Sequence, residues 1–321
     1  MTRESSVPGL ALPYLRALAG ARRRVRALDA KPAELPPPHS LGPIVAHPAR
    51  LDRYDALCGF SAAREQDRLP ATYPHLIAFP SAMRLMTDRR FPVPALGLVH
   101  LANRIEQLRP LAAGEPLSYR VAVGDAAPHA RGLAVELLAE AADEHGETVW
   151  RSVSTYLHRS RHGTAGGPAP AAAAPSEPVS AEPSAEPSAA PPAAPSAALA
   201  DDLDDLGGSV PVDEEWSLPA DLGRRYAAVS GDRNPIHLHP LSARLFGFPR
   251  PLAHGMWTAA RALAALDGAG LLPGAYRYDV DFRAPVLLPT RVRLRAGAAG
   301  LRLTATGDRP RTHLRGTITA L

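Results

Sequence analysis

Cysteine is almost absent. Cys58 stands alone among 321 residues, which excludes a disulfide within the chain and a thiolate-held metal cluster. Long apolar runs are missing as well. No stretch approaches the ~18 charge-free apolar residues that a membrane-spanning helix needs, so no span is expected. The apolar segment GLALPYLRALAG (9–20) follows Arg3 and Glu4 and precedes an arginine cluster, which reverses the charge order of a secretory signal. A cytoplasmic location is expected. Aromatic residues make up only 5% of the chain, and none interleaves the basic clusters ARRRVR (21–26) and HRSRH (158–162). With a formal net charge of only +4, both clusters read as solvated flanks and no nucleic-acid partner is expected.

What is present is a pair of ordinary stretches flanking an unusual one. Residues 163–200 contain no aromatic residue, almost no β-branched one, and prolines throughout. Such a segment buries too little apolar surface to offset its ordering entropy, and it reads as a flexible tether. The acidic DDLDDLGG at 201–208 extends it. The expected organisation is an extension over 1–27, a folded unit over 28–162, a linker over 163–211 and a second folded unit over 212–321. The two units repeat each other faintly. YDALCGF (54–60) matches YAAVSGD (226–232), and LRPLAAGEPLSYRV (108–121) parallels FRAPVLLPTRVRLR (282–295) at nearly the same offset.

Periodicity supplies the architecture. PLSARLF (240–246) reads as a short helix closed by Gly247, and GMWTAARALAALDGAG (255–270) as a long one. Its alanines, Ala259, Ala260 and Ala262 among them, would let a sheet wrap closely. YRYDVDFRAPV, TRVRLRAGA, LRLTATG and RTHLRGTITAL then alternate apolar and polar residues as antiparallel strands do. The first unit supplies SAMRLMTD (81–88) as its helix, then ANRIEQL, PLSYRVAVGD, GLAVELLAEAAD and GETVWRSVSTYLHR as strands. One buried helix against a curled antiparallel sheet, made twice, is an α+β arrangement.

Chemistry concentrates in SGDRNPIHLH (230–239) and PLAHGM (251–256). Gly231, Asn234 and Pro235 argue for a turn, in which Asp232 and His237 can converge as a carboxylate–imidazole pair. Taken alone, Asp232 reads as an Asx-turn residue and His237 as a space-filler. His254 and Gly255 change the balance, because they stand immediately before the long helix. The free N–H groups of a first turn, together with the helix dipole, suit an oxygen that gains negative charge. A glycine there admits a carbonyl without a side chain in the way. An acid/base pair beside such a site fits α-proton chemistry on a carbonyl or thioester.

YAAVSGDRNPIHLHPLSARLFGFPRPLAHGM (226–256) closely resembles the signature of MaoC-like, (R)-specific enoyl hydratases. Residues 70–111, beginning PATYPHLIAF, look like the leading unit of that family's double-hotdog members, especially actinobacterial (3R)-hydroxyacyl-thioester dehydratases. The resemblance implies a double hotdog fold, with two long helices each wrapped by a sheet and packed as an internal pseudo-dimer. It implies reversible dehydration of (3R)-hydroxyacyl thioesters, with an acyl-CoA or acyl carrier protein thioester as substrate. Asp232 takes the place of the family's catalytic acid, His237 of its histidine, and Gly255 of the residue whose N–H faces the thioester oxygen. Asn234 would steady the loop and its water, with His254 as a supporting residue. No cofactor and no metal are expected, since His237, His239 and His254 lack the spacing of a strong zinc motif. The chain would be a monomer or a homodimer.

Set against the second unit, the first has Phe60 where Asp232 stands, Glu65 in place of His237 and Phe79 in roughly the slot of His254. One active site per chain follows, with the first unit lining an acyl-chain pocket. Tyr73 is a candidate to close the substrate mouth, and Arg109 or Arg283 to meet a carrier phosphate. Two other readings stay open: an acyl-thioester hydrolase on the same fold, and a non-catalytic acyl-binding subunit.

Overall fold

Alternation builds the sheet. In the computed structural model, GLAVELLAEAA (132–142) buries every second side chain, and TRVRLRAG (290–297) turns Val292, Leu294 and Ala296 inward while its arginines face out. The structure describes residues 35–61, 63, 67–159, 210–297, 300–307 and 310–321, with the backbone of 2–3. The tether, the N-terminal basic cluster and Glu65 lie outside the described residues.

A two-residue strand β1 (Thr2–Arg3) pairs in parallel with β2 (His39–Val45). After β2 come helices α1 (Pro48–Cys58) and α2 (Tyr73–Met86). Strands β3 (Val99–Gln107), β4 (Leu117–His129), β5 (Gly132–Ala142) and β6 (Thr148–Arg159) complete the first unit. The second unit repeats the order: β7 (Val212–Leu218), α3 (Leu222–Ser230), a 3-10 turn (Pro235–His237), α4 (Pro240–Leu245) and α5 (Gly255–Gly268). Four strands follow, β8 (Tyr276–Phe282), β9 (Thr290–Gly297), β10 (Gly300–Ala305) and β11 (Thr312–Ala320). Their hydrogen bonds make one 11-stranded sheet in the order β1-β2-β4-β5-β6-β3-β8-β11-β10-β9-β7. Two sheet-wrapped helices in one chain are the double hotdog arrangement.

The two units share a seam. β3 pairs antiparallel with β8, and Arg104 Nε meets Asp279 Oδ1 across it at 2.7 Å. Above the seam, Trp257 Nε1–H donates to the Leu57 carbonyl at 3.1 Å, and Arg68 pairs with Asp267 of α5 at 2.9 Å. Ala259, Ala260, Ala262, Ala264 and Ala265 are all buried, so the sheet closes directly on the α5 backbone. Tyr278, fully buried, donates its hydroxyl hydrogen to the Ala259 carbonyl at 3.0 Å. Each such large buried side chain contributes roughly 1.5–3 kcal/mol through removal from water.

The helix of the first unit is longer than SAMRLMTD suggests, because it begins at Tyr73. Pro74 falls in the first turn, where its missing N–H has no partner to lose. Pro80 lies inside the helix and forfeits one backbone bond, yet every residue of α2 except His75 and Arg84 is buried. That packing overrides the proline. β2, β7, α1 and α3 are further elements that the alternating pattern of the sequence did not single out.

Candidate active site

Helix α3 ends at Ser230, and Gly231 takes a left-handed conformation (φ 81°) with its N–H on the Ala227 carbonyl. Few residues except glycine do this without strain. The chain then folds on itself. Asp232 Oδ1 accepts from Asn234 N–H at 3.1 Å, and Asn234 Oδ1 caps the following turn by accepting from Ile236 N–H at 3.4 Å. Pro235 presets the first position of that turn, and His237 closes it.

His237 is buried, with Nδ1 2.9 Å from the Leu252 carbonyl. A carbonyl has no hydrogen to give, so Nδ1 carries the proton and Nε2 keeps its lone pair. His254 is assigned by the same logic: its Nε2–H donates to the Asp232 carbonyl at 3.0 Å, and Asp232 Oδ2 lies 3.8 Å away. The two imidazoles stack with centroids 3.6 Å apart. Burial lowers the His237 pKa, and the Asp232 charge opposes this only in part. Burial, then the neighbouring His237, push His254 down to about 3. Both rings are neutral near pH 7.

Each of Asp232, His237 and His254 brings one donor atom to a common point, all within 4.8 Å of one another. One oxygen at hydrogen-bond distance from both the carboxylate and an imidazole would bridge such a gap. The same trio is where a cation would be held among the described residues, although His254 Nε2 would first have to give up its proton. His239 is not part of it; its Nδ1 accepts from Leu241 N–H at the start of α4.

Gly255 opens α5, and nothing among the described residues accepts from its N–H. A Cβ here would stand 3.0 Å from the Phe282 ring, so packing as well as access favours glycine. A second glycine went unnoticed in the sequence. Gly223 of α3 lies so close to the turn that an added Cβ would meet the His237 carbonyl oxygen at 2.1 Å. A sequence offers no signal for this, since Gly223 occupies an unremarkable helical position.

Asp232, Asn234, His237, His254 and Gly255 all line one cavity of about 630 Å³. The first unit supplies much of its wall, including Phe79, Met83 and Met86 of α2. Three expectations need correcting. Phe60 and Tyr73 are not among the lining residues: Phe60 stacks on Tyr54 (6.0 Å), and Tyr73 is wholly buried with its ring edge-on to Tyr54 (5.2 Å). Phe79 is likewise not the counterpart of His254. His254 is the N-cap of α5, and the N-cap of α2 is Thr72. Arg283 borders the cavity, whereas Arg109 is held by Glu115 and Asp143. The sequence reading also missed His75, His100 and Tyr156, which line the cavity from the first unit.

A family model described as MaoC like domain matches residues 207–311. The 3-hydroxyacyl-thioester dehydratase X of Mycobacterium tuberculosis is 36% identical over 295 residues, covering 92% of this chain and 89% of that protein. The crystal structure of HtdX from the same organism aligns with a TM-score of 0.66 at 32% identity, over 89% of this chain and 100% of that one. Another M. tuberculosis protein, described as having a double hotdog fold, aligns over 90% of this chain and 97% of its own with a TM-score of 0.53. At 16% identity, that likeness is one of fold.

Proposed function

The chain belongs to the MaoC-like dehydratase family, and we propose that it catalyses reversible dehydration of (3R)-hydroxyacyl thioesters to trans-2-enoyl thioesters in the second unit. The observation that carries this reading is the convergence of Asp232 and His237 beside the unclaimed Gly255 N–H in one cavity. In the dehydration direction the carboxylate–imidazole pair takes the α-proton and returns a proton to the departing β-hydroxyl. These two transfers release water and leave the trans double bond. Asp232 and His237 act here as one coupled unit. Charge that builds on the thioester oxygen falls to the Gly255 N–H and the first turn of α5. His254 positions the pair by holding the Asp232 carbonyl. In hydration the same pair holds the water that adds to the β-carbon.

The exposed arginines Arg131, Arg159, Arg233 and Arg283 border the cavity and suit the phosphates of coenzyme A or of an acyl carrier protein's prosthetic arm. Incubation with trans-2-enoyl-CoA tests the proposal. Hydration to the (3R)-hydroxy product is expected. Release of free thiol would mark a hydrolase instead, and no reaction a binding subunit.

A further inference from the structure

The mechanism leaves two imidazoles in the same cavity without a task. His75 lies in the first turn of α2, and His100 on β3. His100 reaches the cavity through a bulge: the pairing of β3 with β6 slips between His100 and Ala102. At this bulge Val99, His100 and Leu101 all border the cavity. The His100 ring stacks on Tyr156 at 4.5 Å, lies 6.3 Å from the near-parallel His75 ring, and stands 4.9 Å from Phe282. Phe282 is the ring that packs against Gly255. The imidazole pair is thus one aromatic ring away from the amide assigned to the thioester oxygen.

His100 Nε2 is buried and has no hydrogen-bond partner among the described residues. Burial pushes His75 down to about 4 and His100 to about 3, so both are neutral and each keeps a lone pair that can accept a hydrogen bond. Beyond His75, the same face of α2 presents Phe79, Met83 and Met86 to the cavity. At 1.5 Å per residue this wall is about 16 Å long. An acyl chain lying along it passes the imidazoles first and the apolar wall afterwards.

We infer that His75 and His100 form a subsite accepting a hydrogen bond from a hydroxyl on the acyl chain, a few carbons beyond the reacting pair. The preferred substrates are then hydroxylated acyl thioesters. This inference rests on the reading of the cavity as an acyl-thioester site.

Two trans-2-enoyl-CoA esters of equal length test it, one plain and one carrying a 5-hydroxyl that the trans double bond keeps from cyclising. The wild type should favour the hydroxylated ester by about tenfold in kcat/KM, the scale of one hydrogen bond. His100→Phe should abolish the preference, and His100→Gln, which retains an acceptor, should restore most of it. The readout is the ratio, so a general loss of fold or chemistry, which lowers both rates, does not imitate it. His75→Leu gives the same comparison should His100→Phe fail to fold. No preference in the wild type, or a preference surviving in His100→Phe, overturns the subsite. If neither ester is hydrated, the proposed function fails and calorimetry decides the subsite separately, with saturated thioether analogues. Tighter binding of the hydroxylated analogue that His100→Phe removes supports it; equal affinities reject it.

Discussion

At the scale of single residues, the proposed chemistry depends on a neutral His237. Its Nδ1–H is fixed on the Leu252 carbonyl, which leaves the Nε2 lone pair available to the proposed chemistry. Burial lowers its pKa below the usual 6.5, which keeps the basic form populated in mild acid. The sign follows directly: activity requiring the unprotonated ring is present above the lowered pKa and lost as pH falls through it. The acid limb of kcat/KM for hydration should therefore have its midpoint below about 6.5. A midpoint at or above that value would contradict a buried His237 base. Asp232, His237 and Gly255 were legible in the sequence because they sit in one short stretch with turn residues between them. His75 and His100 were not. Each is a lone histidine in an apolar segment, and they meet only through tertiary packing, His75 from α2 and His100 from the bulge in β3.

At the scale of elements, α3 lies directly against the loop that carries Asp232 and His237. Gly223 is the contact point, and Gly223→Ala would place a methyl 2.1 Å from the His237 carbonyl oxygen. That oxygen belongs to backbone, so the loop or the helix must shift. Overpacking of this kind typically costs about 1–3 kcal/mol, and catalysis should suffer more because a displacement near 1 Å can cost about 100-fold in rate. Denaturant melts and kcat measured on the same variant check both; a rate within a few-fold of wild type would show that the contact does not position His237. Elements with clean alternation, such as β5 and β9, were readable from sequence. The start of α2 was hidden because two prolines imitate a break that tertiary packing overrides. A near-constant offset between the halves points to Phe79 as the counterpart of His254, whereas the helix N-caps pair Thr72 with His254. β7 did carry a signal, with Val212, Trp216 and Leu218 buried on one face, but two adjacent glutamates obscured it.

At the scale of the whole molecule, the first unit braces the helix that leads into the Asp232 loop. The Arg50 guanidinium of α1 donates to the carbonyls of Val229 at 2.8 Å and Ser230 at 3.3 Å, the last turn of α3 before Asp232. A cation at a helix C-terminus satisfies carbonyls that the helix leaves open. Arg50→Ala should lower stability by about 1–3 kcal/mol and reduce kcat more than it raises KM, because it frees the loop without touching the acyl wall. An unchanged kcat would show that the loop is set by the second unit alone. The duplicated plan was visible in sequence through YDALCGF and YAAVSGD. Their closing glycines, Gly59 and Gly231, both adopt left-handed caps at φ 86° and 81°. The continuous sheet that joins the halves was not visible, since the β3–β8 pairing links residues far apart in the chain.

The most direct test of the account is the rate of trans-2-enoyl-CoA hydration by Asp232→Asn beside the wild type, with both shown to be folded by matching thermal melts. Loss of one member of the acid/base pair should lower kcat by about 100- to 10,000-fold while leaving the fold intact. A folded Asp232→Asn protein that hydrates the thioester at close to the wild-type rate would contradict it.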